Sequence, residues 1–213
     1  KGGYADLADD LPDLLREPLL LPAAAPLPPD PLPQLRAAGQ ALAQGFLDHG
    51  ADFLADLRTA LEGKVLNGSS YKVDWIEELW GQWAQWCQAG DVSAPLDPRI
   101  ARFTAEAMLA KANSGKQAQV PDSPLCATVA SYVEAVQACG IHRQRRQVQL
   151  LHRLREDARA RLQALKQQQR VQGYDDMIAG VADALEGPHG DDFVRGLRRQ
   201  YAVALVDEFQ DTD

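Results

Sequence analysis

Apolar residues recur at intervals of three and four along most of this 213-residue chain, the spacing of amphipathic helices. Leu35, Ala38, Leu42 and Phe46, followed by Phe53, Leu54, Leu57 and Leu61, predict helix over 34–62, divided in two at His49-Gly50. Asn67-Gly68-Ser69-Ser70 reads as a turn. Residues 73–89 predict an amphipathic helix carrying Trp75, Ile76, Leu79, Trp80, Trp83, Trp86 and Cys87, with all four tryptophans of the chain. Asp97-Pro98 opens a further helix through Phe103 and Met108, which Asn113-Ser114-Gly115 ends, leaving a polar loop over 113–124. Residues 125–139 are helical by composition. A long basic segment over about 141–170 carries Val148, Leu151, Leu154, Ala158, Leu162 and Leu165 on one face.

Punctuation residues divide the remainder. Gly173 stands where a C-terminal glycine would end that long helix, and a new one starts at about Tyr174. Asp175 and Asp176 fall in its first turn, where carboxylates suit the positive end of the helix dipole, so capping is their simplest role. Gly187-Pro188 stops it, and a short helix over 191–200 leads to an apolar run over 202–206, the one predicted strand. At the other end, residues 1–17 form an acidic stretch with Leu7, Leu11, Leu14 and Leu15, a short helix interrupted at Pro12. Seven of the thirteen prolines lie between 18 and 33, which forbids helix and predicts an extended connector on the surface. The fold class is therefore mainly α. Three parts follow: an acidic then proline-rich connector (1–33), a helical subdomain (34–170) and a closing segment (171–213) whose strand needs a sheet for its pairing.

Composition narrows the function. Apolar residues make up 46% of the chain, enough for a core, and no apolar run reaches the roughly 18 residues that would cross a membrane. The first residues lack the apolar centre of a secretory signal. Cys87, Cys126 and Cys139 are odd in number and share no CxxC spacing, which argues against a disulfide framework or a zinc site and fits a reducing cytoplasm. The histidines are scattered. The net charge of −8 is uneven: Arg143, Arg145, Arg146, Arg153, Arg155, Arg159, Arg161, Lys166 and Arg170 face only Glu156 and Asp157. That is nine positive charges against two negative, a local +7, and it leaves −15 on the rest. Charge acts locally within a Debye length of about 8 Å, so these nine residues are candidate contacts to nucleic-acid phosphates. A solvated face that keeps a long helix in solution is the plainer reading. Tryptophans at helical spacing are most often core, with base stacking the alternative.

The most specific chemistry is at the end. Asp207 and Glu208 follow the apolar run directly, the form of a buried parallel strand ending in a carboxylate pair. Such a pair can hold Mg²⁺ beside nucleotide phosphates and orient an attacking water. The string Val206-Asp207-Glu208-Phe209-Gln210-Asp211-Thr212 resembles the Walker B element, motif II, of the UvrD/Rep group of superfamily 1 DNA helicases. Gly173-Tyr174-Asp175-Asp176-Met177-Ile178, Leu185, Leu197-Arg198 and Tyr201, with their spacing to the acid pair and the final Asp213, resemble the RecB branch of that group. Leu66-Asn67-Gly68-Ser69-Ser70-Tyr71 ahead of the tryptophan helix is a softer match. The specific resemblance covers about the last 45 residues.

The resemblance implies a helical accessory subdomain of a superfamily 1 helicase, with the strand over about 202–206 belonging to the α/β ATPase sheet of a larger protein. It implies ATP and Mg²⁺ as cofactors there, with Asp207 on the metal, Glu208 as the base for the hydrolytic water and Gln210 coupling nucleotide state to domain movement. The expected parent is an ATP-dependent DNA helicase with exodeoxyribonuclease activity, in the bacterial cytoplasm. It would act in break repair and recombination, on duplex ends, forks and single strands, with RecC-like and RecD-like subunits. The chain has no GxxxxGK[ST] phosphate loop, and Gly63-Lys64-Val65 and Gly115-Lys116-Gln117 do not supply one. By itself it is therefore expected to bind no cofactor and hydrolyse no ATP, with the nuclease residues also lying elsewhere. Two alternatives stay open: a module that docks on a partner subunit, and a fragment of another UvrD-like helicase such as an AddA-type enzyme.

Overall fold

The computed structural model describes residues 4–16 and 19–205. Seven α-helices are formed there: α1 (Tyr4–Arg16), α2 (Leu32–Glu62), α3 (Val73–Ala89), α4 (Ala105–Ala110), α5 (Pro124–Gln169), α6 (Tyr174–Glu186) and α7 (Gly190–Gln200). Short 3₁₀ turns cover Pro98–Phe103 and Gln117–Gln119. The chain forms two compact units, Leu19–His152 and a second made of Lys1–Pro18 with Arg153–Asp213, so that α5 passes from one into the other. The helical class stands.

The Leu19–His152 unit is built around aromatic residues. Trp83 is fully buried, with Phe46 of α2 stacked on it at 4.7 Å and Trp80 edge-on at 5.4 Å. Phe103 meets Trp80 edge-on at 5.3 Å. Each such pair is worth about 0.5–1.5 kcal/mol beyond the area it buries. Leu125, Cys126, Val129, Tyr132 and Ala135 of α5 close the core from another side. The predicted tryptophan face holds: Ile76, Leu79, Trp80, Trp83 and Trp86 are buried, while Trp75 and Cys87 are half-buried. The indole of Trp80 donates to the Gly50 carbonyl at 3.1 Å, and that of Trp86 to the Ala94 carbonyl at 2.8 Å. The Tyr71 hydroxyl donates to the Arg102 carbonyl at 2.7 Å, and burial raises its pKa to about 12.

Several boundaries differ from the sequence reading, each for a local reason. Helix α2 runs unbroken through His49-Gly50. Gly50 is there for contact: a Cβ would stand 3.1 Å from the Phe46 ring. The helix expected from Asp97 to Met108 is a 3₁₀ turn and α4, separated at Thr104, whose hydroxyl caps α4 by accepting from Ala107 N–H at 3.2 Å. The segments over 125–139 and 141–170 are one helix, since an exposed helical glycine such as Gly140 costs only about 1 kcal/mol. Its end is not Gly173. Arg170 takes the left-handed conformation, φ 54°, and the Arg170 and Val171 amides donate back to the Gln167 and Lys166 carbonyls. That is a Schellman ending, with arginine where glycine is usual. Gly173 instead precedes α6 as its N-cap.

In the second unit, Pro12 does not interrupt α1. Its cost is one backbone hydrogen bond, and the free carbonyls at the end of α1 find partners: Arg155 Nε donates to Leu14 O at 3.1 Å, and Arg159 Nη2 to Leu15 O at 2.7 Å. Helices α6 and α7 pack on each other around Gly187-Pro188. A Cβ on Gly190 would stand 2.0 Å from the Leu185 carbonyl oxygen, so only glycine fits. Residues 202–205 form no strand; Val203 and Leu205 are exposed. A strand is made by its ladder, and no partner strand lies among the described residues, where an isolated bridge joins Leu66 to Ala112.

Gly39 of α2 gives a direct test of the packing. A Cβ there would lie 2.7 Å from the Val92 carbonyl oxygen, whereas Gly81 on the exposed side of α3 has nothing within 4 Å. Gly39→Ala is expected to lower stability by about 1–3 kcal/mol in urea unfolding. Gly81→Ala should raise it by about 0.5–1 kcal/mol through helix propensity alone.

Candidate nucleic-acid interface

The nine cations of the basic segment divide into two groups. Arg155 and Arg159 hold carbonyls of α1, as described, and Lys166 Nζ bonds both carboxylate oxygens of Asp176 at 2.8 Å. These three are committed within their own unit. Arg143, Arg145 and Arg146 in the Leu19–His152 unit, and Arg153, Arg161 and Arg170 in the other, are exposed. None of the six makes an ion pair among the described residues. Guanidinium groups presented in this way suit phosphate, which they can bind through two parallel N–H donors.

A groove of about 430 Å³ lies beside Arg143 and Arg146. Its other wall is the proline-rich connector, including Leu27, Asp30 and Pro31, with Cys139 and His142 on the α5 side. Two α5 side chains hold the connector in place. Gln149 Nε2 donates to the Ala25 carbonyl at 2.7 Å, and His152 Nε2 meets the Pro22 carbonyl at 3.0 Å. A carbonyl only accepts, so this ring nitrogen carries the proton. The Asp30 carboxylate accepts from Leu32 N–H at 3.1 Å. Burial pushes the Cys139 thiol pKa up, Asp30 adds to that, and Arg143 opposes it. Sequence reading had no signal for this groove, because its walls lie more than a hundred residues apart and no periodicity links them.

A second cationic cluster was also not legible. Arg99 and Arg102 lie over the half-buried Trp75 ring at 5.7 and 5.3 Å. Arg99 is held by Asp97 at 2.6 Å, and Arg102 donates to the Ser70 carbonyl at 2.8 Å. These contacts orient both guanidiniums along the protein surface. Among the described residues no group of three or more His, Cys, Asp or Glu could hold a metal, and no helix is long and apolar enough to cross a membrane. The cysteines are free thiols. Asp207, Glu208 and Gln210 lie outside the described residues.

Asp175 and Asp176 stand in the first turn of α6, as the sequence predicts. Asp176 accepts from the Gly173 amide at 2.7 Å as well as from Lys166. The Lys166 hydrogen bond first, and the Gly173 amide second, hold its pKa below the usual 3.8. A carboxylate depressed on folding stabilises the fold fully above 3.8 and loses that contribution as pH falls through its folded value. Asp176→Asn is therefore expected to weaken the fold at pH 7 and to flatten the part of the stability profile below pH 4, measured by urea unfolding at a series of pH values. A profile unchanged in shape would show that the pair contributes nothing.

Comparison with known proteins places this arrangement in a family. The sequence profile of the UvrD/REP helicase N-terminal domain matches residues 71–213. The chain is 25% identical over 155 residues to RecBCD enzyme subunit RecB of Haemophilus influenzae, which covers 70% of this chain and 13% of that protein. It is 42% identical over 57 residues to RecBCD enzyme subunit RecB of Mycolicibacterium smegmatis, 27% of this chain and 5% of that one. The chain thus spans a small part of the length of these relatives. The profile covers most of it, from the start of the tryptophan helix through the basic helix to the acid pair, and the chain belongs to the UvrD/REP helicase N-terminal domain family.

Proposed function

We propose that this chain is the helical accessory part of a RecB-like, ATP-dependent DNA helicase and that its exposed arginines hold the DNA backbone. The observation that carries the reading is the acid pair Asp207-Glu208 within Val206–Thr212, inside the family match. In the whole protein Asp207 would hold the Mg²⁺ of bound ATP, Glu208 would take the proton of the attacking water, and Gln210 would relay nucleotide state to domain movement. ATP supplies the free energy for translocation. Double-strand break repair and recombination, exonuclease action elsewhere in the protein, and assembly with RecC-like and RecD-like subunits complete the proposal.

The partners of the nine cations support a division of roles. Arg143, Arg145, Arg146, Arg153, Arg161 and Arg170 are the phosphate contacts, while Arg155, Arg159 and Lys166 serve the packing of α1 and α6. Arginine binds phosphate irrespective of base, which suits a motor that must move along any sequence. Docking on a partner subunit is the second reading. It is favoured by the α6 stripe of Met177, Ile178, Val181 and Leu185, which stays 45–70% exposed.

Anisotropy of a labelled forked DNA titrated with the chain distinguishes the two. Binding is expected to weaken about 40-fold between roughly 50 and 200 mM salt if three phosphates are contacted. It should be lost when Arg143, Arg145 and Arg146, or Arg153 and Arg161, become Glu. Absence of binding at the lower salt would reject the DNA contact in favour of subunit docking.

A further inference from the structure

The groove between the connector and α5 combines two features that a surface charge run lacks. Arg143 and Arg146 lie three residues apart on the helix and line it together. Opposite them the wall is largely apolar, with Leu27 39% and Leu32 48% exposed beside the buried Pro31. Its volume of about 430 Å³ lies within the ~300–1,000 Å³ range of pockets for small ligands. That is room for one nucleotide and too little for a base-paired duplex. The wall is also held in advance. Proline restricts the connector, and Gln149 and His152 fix it to α5, so little order has to be gained on binding.

Resting on the DNA-binding reading above, we propose that this groove is a single-strand site that takes one nucleotide. Its phosphate bridges Arg143 and Arg146, and its base lies against Leu27, Pro31 and Leu32. A base-paired strand keeps its bases stacked inside the duplex, so only an unpaired nucleotide can fill both parts of the site. Asp30 is the one carboxylate lining the groove, where it opposes the incoming phosphate and limits affinity. That suits a contact a moving strand must leave. The assignment links a residue of the connector to a phosphate site on a helix more than a hundred residues later.

Asp30→Asn separates this site from general basic attraction, since it removes the opposing charge and leaves an oxygen to accept from the Leu32 amide. With a labelled oligothymidylate, Asp30→Asn is expected to tighten binding about two- to fivefold, the scale of one exposed charge interaction. The Arg143→Ala/Arg146→Ala pair should reduce the steepness of the salt dependence by about 0.7, the value for one phosphate no longer neutralised on a single strand. In the unsubstituted chain, the oligonucleotide should slow maleimide labelling of Cys139, located by peptide mass, in proportion to the fraction of chain bound. Salt-dependent binding that ignores Asp30→Asn and leaves Cys139 labelling unchanged would overturn the groove site while leaving the DNA reading intact. Protection of Cys139 by a blunt duplex or by polyglutamate, equal to that by the single strand, would likewise overturn it. No salt-dependent binding at all would remove both readings.

Discussion

The packing of Phe46 on Trp83 is the contact on which the Leu19–His152 unit depends. It joins α2 to α3 where the half-buried Phe46 covers the fully buried Trp83, with Trp80, Phe53 and Phe103 nearby at edge-on or tilted angles. The buried indole N–H of Trp83 has no partner among the described residues, so Trp83 contributes through area and stacking. An unsatisfied buried donor costs about 1–3 kcal/mol, which aromatic contacts on several sides can offset. Close approach is made possible by small residues on α2. Gly39 meets the loop at Val92, and Gly45 meets Leu125 and Thr128 of α5. The first third of α5 is thereby seated, and the helix continues from that seat into its basic portion.

Element type was legible wherever burial imposes a period. The tryptophan helix could be bounded from its apolar spacing because five of its residues point into one core. Glycine was the main source of error, since its two uses look alike in sequence. Gly50 and Gly173 read as breaks, yet one allows an aromatic ring to lie against a helix and the other starts a helix. The left-handed residue that does end α5 is Arg170, for which no composition rule prepares a reader. The apolar run before the acid pair shows a different limit. Its spacing is that of a strand, but hydrogen-bonded ladders need two participants and a single run supplies one.

Charge was legible as a sum and not as a division of labour. Nine cations in one segment suggest one surface, whereas the fold gives three of them structural partners. Arg155 and Arg159 satisfy carbonyls that α1 would otherwise leave open, and Lys166 secures the first turn of α6. The partners lie up to 144 residues away, which local patterning cannot reach. What remains exposed is a smaller set, and its members in each unit can be altered without touching these structural contacts.

The connector is held through its backbone. Gln149 and His152 reach the carbonyls of Ala25 and Pro22, groups that every residue type carries. Over residues 22–26, ahead of the side chains that line the groove, the connector's side chains are therefore almost unread by the helix beneath it. Drift in composition along this stretch would be tolerated, while insertion or deletion of a residue would move the carbonyls out of register. Related chains should thus vary freely in the letters of residues 22–26, ahead of the groove, and hardly at all in the length of the connector.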